Sequence, residues 1–346
     1  MVLLLFTNCS IGGRAQDPNF SQYFNAPIYF NPAFTGLNQG LHVNFNFRDQ
    51  WPKLPVDFKS YYFSADLGDR SLPGSGGLGI SVMSDNEGIG FIQDLSVGLN
   101  LAVRIPITHL LTSQLGFRVG VVQKSLHWDE FVFSDEVDEL YGLGPLTKFV
   151  PPDNNKRVFP DFAVGGLLQL SNENENIFGT AGFSVDHLFT PDQSFLSNGA
   201  CKLPRKVIFH ADAIFQSGVS SYYVDKKGLS DQLKFNPGIL FQNQGTSNQL
   251  MIGMNLLKFN LYLGGWYKTT MKDNPSKTLV LLAGYRYVFA DKMSLKFMYT
   301  YDLEISGPLM GTGGAHEISL ILNFDDLSIF GGNAMPKKHG RELCPI

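Results

Sequence analysis

Leu41, Val43, Phe45 and Phe47 fall on one face of an extended chain, and His42, Asn44, Asn46 and Arg48 fall on the other. A period of two marks a strand with one apolar and one wet face. The pattern recurs. Leu95, Val97, Leu99, Leu101, Val103 and Ile105 oppose Asp94, Ser96, Asn100 and Arg104; Leu115, Phe117, Val119 and Val121 oppose Gln114, Gly116 and Arg118. Met293, Leu295, Phe297, Tyr299 and Tyr301 oppose Lys292, Ser294, Lys296 and Asp302. Fourteen strand-like segments follow, near 41–49, 58–67, 76–84, 93–105, 113–123, 160–171, 177–186, 206–217, 231–242, 248–257, 259–268, 277–288, 293–302 and 314–324. Most run to about ten residues, the length a tilted strand needs to cross a bilayer. Two architectures fit strands without intervening helices: a soluble sandwich, or a transmembrane barrel with lipid outside. The segments 177–186 and 231–242 are the least regular, and Pro237 argues against an undisturbed central strand in the second.

The connections favour the barrel. Outer-membrane barrels have short periplasmic turns and long outer loops. If β-strand one starts from the periplasm, connections from even to odd strands should be short, and 106–112, 172–176, the break near Lys258 and the turn at 290–292 are. The longest loops, 124–159 and 187–205, fall on the other side. Two connections disagree: 218–230 is long where a turn is expected, and 243–247 is short where a loop is expected. Tyr61, Tyr62, Trp266, Tyr267, Tyr285, Tyr287, Tyr299 and Tyr301 lie toward strand ends, where amphipathic rings form girdles at the headgroups.

Composition agrees. Charged residues make up 17% of the chain, against about 25% in soluble domains. A net charge of −4 gives no electrostatic support to a nucleic-acid partner. No apolar run is long enough for a spanning helix. Residues 1–15 read as a shortened secretory signal, with the apolar core 2–6 and a small-x-small site, Gly13-Arg14-Ala15, ahead of Gln16. The absent basic region suggests a start further upstream. A lipoprotein reading at Cys9 lacks the small residue expected just before the cysteine. Of the remaining cysteines, Cys201 and Cys344 fall on opposite sides of the membrane in this topology, so no disulfide between them is expected.

Candidate chemistry is sparse. Seven histidines are scattered without metal-ligand spacing, so no cofactor or metal is expected. His210 and Asp212 share a strand face, as an acid–base pair would, but no serine elbow or carboxylate pair accompanies them. The acidic stretch Asp129, Glu130, Asp135, Glu136, Asp138 and Glu139 is either an external calcium or partner site or a solvated loop; it lacks EF-hand spacing. An enzyme is not expected.

One stretch is more particular than any periodicity. Residues 16–36 read QDPNFSQYFNAPIYFNPAFTG. This resembles the opening of the PorP/SprF family, a Q-D-P-x-F-S-Q-Y segment followed by N-P-A-x-x-G. Ala26 departs from the usual asparagine before Pro27. Beyond residue 36 the resemblance lies in layout, in Arg48-Asp49-Gln50-Trp51 closing the first strand, and in Cys344-Pro345. The resemblance implies a non-enzymatic outer-membrane component of the type IX secretion or gliding machinery. It implies partners among the periplasmic type IX components and a secreted surface protein or adhesin.

The residues add their own reading of the motif. Pro18, Pro27 and Pro32 forbid a regular helix or central strand. Phe20, Tyr23, Phe24, Ile28, Tyr29, Phe30 and Phe34 are too apolar for a solvated tail. The segment is expected to pack in the periplasmic mouth of the barrel or to dock on a partner there; an ordinary plug without a partner is the alternative. The expected layout is thus a signal at 1–15, a periplasmic or plug segment at 16–40, an all-β transmembrane antiparallel barrel of about fourteen strands at 41–324, and a periplasmic tail at 325–346. Candidate partner-binding residues are Asp17, Pro18, Phe20, Ser21, Gln22, Tyr23, Asn31 and Pro32, with Lys337, Lys338, Arg341 and Cys344 in the tail. Two other functions stay open: a passive or ligand-specific transport barrel, and an outer-membrane hydrolase.

Overall fold

The computed structural model describes residues 17–68, 76–88, 92–128, 137–138, 142–143, 148, 150, 155–172, 177–195, 201–217, 233–271, 275–290, 293–307 and 310–324. Its strands are β1 (Gly40–Gln50), β2 (Asp57–Gly68), β3 (Gly77–Gly88), β4 (Ile92–Pro106), β5 (Leu111–Leu126), β6 (Val137–Asp138), β7 (Gly142–Leu143), β8 (Lys156–Ser171), β9 (Ile177–Asp186), β10 (Lys206–Ser217), β11 (Leu233–Gln244), β12 (Ser247–Lys258), β13 (Leu261–Thr270), β14 (Lys277–Ala290), β15 (Met293–Ser306) and β16 (Ala315–Phe324). Apart from the small β6–β7 ribbon, all join one closed antiparallel barrel of fourteen strands in chain order. The seam closes where β1 meets β16, in register from Leu41↔Phe324 to Gln50↔Ala315. Each expected strand is present, several of them extended by one to four residues.

The barrel is apolar outside and polar inside. Leu99 is 62% exposed and Val103 54%, whereas Asn46, Ser64, Asn100, Thr300 and Ser319 are fully buried. Water would penalise so much contiguous apolar surface; lipid does not. Closure also pairs every barrel strand on both sides, which a bilayer demands because it offers no hydrogen bonds.

Local chemistry explains the two irregular places. Pro237 lies in β11 and pairs normally with Met254 of β12. On its other side the β10–β11 ladder skips from Asp212↔Gly238 to Phe215↔Phe235. Proline has no N–H to give there. Asn236 replaces it: its side-chain amide donates to Ala213 O at 3.1 Å. The short connection after β11 is a tight hairpin, with Gly245 at φ +59° as the first of two turn residues. The flanking strands, expected to end at 242 and to begin at 248, run on to Gln244 and start at Ser247, which shortens the connection to those two turn residues. The other discordant connection, 218–230, lies outside the described residues, as does most of the acidic stretch 129–139.

One expectation is corrected. Tyr62 and Trp266 are not girdle residues; both are buried in the lumen. Tyr61, Tyr267, Tyr285, Tyr287 and Tyr299 do face outward.

Candidate functional site: the N-terminal segment inside the barrel

Call the end bearing the connection 187–205 the loop end, and the opposite end, where β1 starts, the turn end. The segment before β1 runs the height of the lumen between them. It begins at the loop end with Asp17, whose backbone N–H donates to Gln244 Oε1 at the end of β11 (2.9 Å). It finishes at the turn end, where the Gly36 N–H donates to the Asp66 carboxylate (2.8 Å) and Gln114 Nε2 donates to Thr35 O (2.7 Å). The expectation of a segment confined to the mouth at which β1 starts therefore holds only for its last residues. The prolines permit this irregular path. Pro27 and Pro32 each open a single helical turn, Pro27–Phe30 and Pro32–Phe34, where a missing N–H costs nothing.

Three sets of wall residues hold the segment. At the loop end, the Asp17 carboxylate lies 2.9 Å from His187 Nε2 and 3.5 Å from Lys206 Nζ, and His187 Nδ1 lies 2.9 Å from Asp161. Burial alone would raise the Asp17 pKa, but His187 and Lys206 outweigh it and hold the carboxyl well below its usual range. Burial likewise disfavours the His187 cation, yet Asp17 and Asp161 push its pKa up to about 10.

Just below lies a buried ionic network. Arg48 donates to Asp302 (2.8 Å) and Glu317 (3.1 Å), and Lys268 donates to Asp302 (2.6 Å). The segment completes it. The backbone N–H groups of Ser21 and Gln22 donate to the Glu317 carboxylate at 2.8 and 3.1 Å, and Ser21 Oγ donates to Asp302 at 2.6 Å. Two cations and two anions balance, and hydrogen bonds from the segment satisfy the carboxylates further. Buried ion pairs add little net stability but lose much when one partner goes. Such a network specifies register more than it strengthens.

At mid-height the contacts are aromatic. Tyr23 meets Trp266 edge-on with ring centres 5.5 Å apart, Phe24 stacks on Trp266 at 5.7 Å, and Tyr29 meets Tyr62 at 5.4 Å. Trp266 Nε1 donates to Asn255, so its one polar atom is satisfied. Asn31 then ties the segment to β8–β10. Its side-chain Oδ1 accepts from Ala33 N–H (2.9 Å), while its side-chain Nδ2 lies 3.1 Å from Gly166 O, 3.2 Å from Phe183 O and 3.1 Å from His210 Nε2. Here the wall must be bare. A Cβ on Gly165 would sit 1.9 Å from Asn31 Oδ1, one on Gly116 2.2 Å from Ala33 N, and one on Gly77 2.3 Å from Gly36 Cα. These glycines form the socket for the Asn31–Gly36 turn.

Phe20, Ser21, Gln22, Tyr23, Asn31 and Pro32 are thus buried against the barrel wall, and Asp17 and Pro18 are half-buried at the loop end. Lys337, Lys338, Arg341 and Cys344 lie outside the described residues. Cys201 is exposed in the 187–205 connection. His210 bonds Asn31 and stacks on Phe34, a structural use rather than an acid–base one. Sequence reasoning does not single out Lys268, Glu317, His187 or Asp161 for this site, and it marks Asp302 and Gly116 only as members of a polar face. Among the described residues no group of three or more His, Cys, Asp or Glu is placed to hold a metal.

The sequence matches the family described as type IX secretion system membrane protein PorP/SprF over residues 13–322, which takes in both the lumenal segment and nearly all of the barrel. The chain belongs to the PorP/SprF family. With its closed barrel and apolar outer face, this PorP/SprF protein is an outer-membrane component of the type IX secretion system. No curated protein matches it in sequence. Among solved structures it is similar to a FadL homologue of Pseudomonas aeruginosa, with 11% identity, a TM-score of 0.45, and 85% of this chain and 92% of the other covered. It is also similar to the outer-membrane protein Omp33 of Acinetobacter baumannii, with 7% identity, a TM-score of 0.39, and 84% and 99% covered. The family's opening motif has a physical role in this chain: Ser21 and Gln22 bind the Arg48–Glu317 network, and Asn31 to Gly36 fill the glycine socket.

Proposed function

We propose that this PorP/SprF protein is a non-catalytic, plugged anchor. In this reading the loop end faces outward and holds or presents a secreted surface protein, and the turn end, with the tail that follows β16, meets periplasmic parts of the machine. The supporting observation is the filled lumen. Residues 17–37 occupy the barrel from end to end and are bonded to its wall by buried charges, which suits a rigid holder better than a conduit. The basic stretch containing Lys337, Lys338 and Arg341 supplies charge for a periplasmic contact.

The test is gentle detergent extraction from outer membranes, affinity purification and identification of what comes with the barrel. Periplasmic type IX components together with one large surface protein are expected. Recovery of the barrel alone contradicts the anchor and returns weight to a transport barrel.

A further inference from the structure

We propose that the vestibule at the loop end is a docking cup for basic side chains of the secreted surface protein. The partner's identity rests on the anchor reading above; the chemistry of the cup does not. The cup is a cavity of about 390 Å³. Its floor is the start of the lumenal segment, including Asn19, and its walls carry Trp51, Phe58, Asp85, Glu87 and Glu304. That volume falls in the range of small-ligand sites, roughly 300–1,000 Å³, and accommodates a long side chain.

Charge selects the occupant. Deeper in the lumen Asp302, Glu317 and Asp186 each have an arginine or lysine partner. In the cup, Asp85 accepts from Ser60 Oγ (2.6 Å) and shares a hydrogen bond with Glu87, whose nearby cation, Lys124, is bonded to Asp94 (2.9 Å); Glu304 accepts from Ser276 Oγ and Thr278 Oγ1 (2.8 and 2.9 Å). Hydroxyls orient a carboxylate without neutralising it. The two cations bordering the cup, Arg48 and Lys268, are already committed to Asp302. A walled cavity with surplus negative charge concentrates cations.

Two further observations define the kind of cation. Among the described residues no group of three or more acidic, histidine or cysteine side chains is placed to hold a metal ion. And the same wall presents an aromatic pair, Trp51 and Phe58, with ring centres 5.0 Å apart. Aromatic faces beside carboxylates suit a guanidinium or an alkylammonium on a flexible stem.

Calorimetry on the purified full-length barrel in detergent tests this, with acetyl-tri-arginine amide as the probe and acetyl-tri-glutamine amide as the control. Saturable binding of the arginine peptide alone is expected, weakened by salt and at least about tenfold weaker in the Glu87→Gln/Glu304→Gln double variant. Trp51→Leu, which leaves the carboxylates in place, is expected to weaken it as well. Heat-dependent gel mobility checks that each variant is folded. Absence of peptide binding by the wild type overturns the proposal, as does equal binding by a folded double variant. Saturable calcium binding without peptide binding overturns it in favour of an inorganic cation site. Peptide binding by a barrel that never co-purifies a surface protein upholds the cup and contradicts the anchor.

Discussion

Arg48 shows how one side chain can set the position of a whole segment. It bridges Asp302 and Glu317, which in turn hold Ser21 and Gln22. Arg48→Ala leaves two buried carboxylates with Lys268, bonded to Asp302, as the one cation of the network. We expect a loss of about 3–5 kcal/mol, the usual result of removing one partner of a buried pair. It would be read as a lower temperature for the heat-dependent mobility shift of the barrel. His187 gives a second prediction, with a pH signature. Its pKa is raised from 6.5 to about 10 in the folded protein. Its contribution is therefore complete below about pH 6.5 and lost as pH rises through about 10. His187→Gln should unfold at a lower temperature than wild type at neutral pH, and the gap should close above about pH 10. A gap that persists there would mean that charge is not what His187 contributes. Arg48 was legible as a member of the polar face of its strand; its partners were not. Ser21 and Glu317 lie 296 positions apart, and no local pattern reports such a pair.

The strands themselves were almost fully legible, because lipid outside and a polar lumen inside enforce strict alternation. The same rule holds the correction. Tyr61 and Tyr62 are neighbours in β2, so they must face opposite sides, as must Trp266 and Tyr267 in β13. Position along the strand suggests the girdle for all four, but the face decides, and it places only Tyr61 and Tyr267 there. Strand glycines were harder to interpret, since a missing side chain looks the same wherever it lies. Gly116 faces the Ala33 backbone, whereas a methyl group added at Gly265 would meet nothing within 4 Å. Gly116→Ala should therefore destabilise by about 1–3 kcal/mol, the range for overpacking, while Gly265→Ala should be nearly neutral. Equal effects in the same thermal assay would rule out the socket.

The direction of the lumenal segment organises the molecule. Because β1 starts at the turn end and Asp17 lies at the loop end, the barrel wraps around its own N-terminal segment. Periodicity could not show this. It assigns faces to strands, and residues 17–37 have no period; their aromatic content showed only that they were not a solvated tail. The family motif and the barrel interior are one structure, and the lumen is occupied rather than open. Planar-bilayer recording on the purified full-length barrel tests that most directly. With residues 17–37 seated in the lumen, the wild type should give no sustained conductance. Stable, open-channel conductance from folded wild-type protein would contradict the plug.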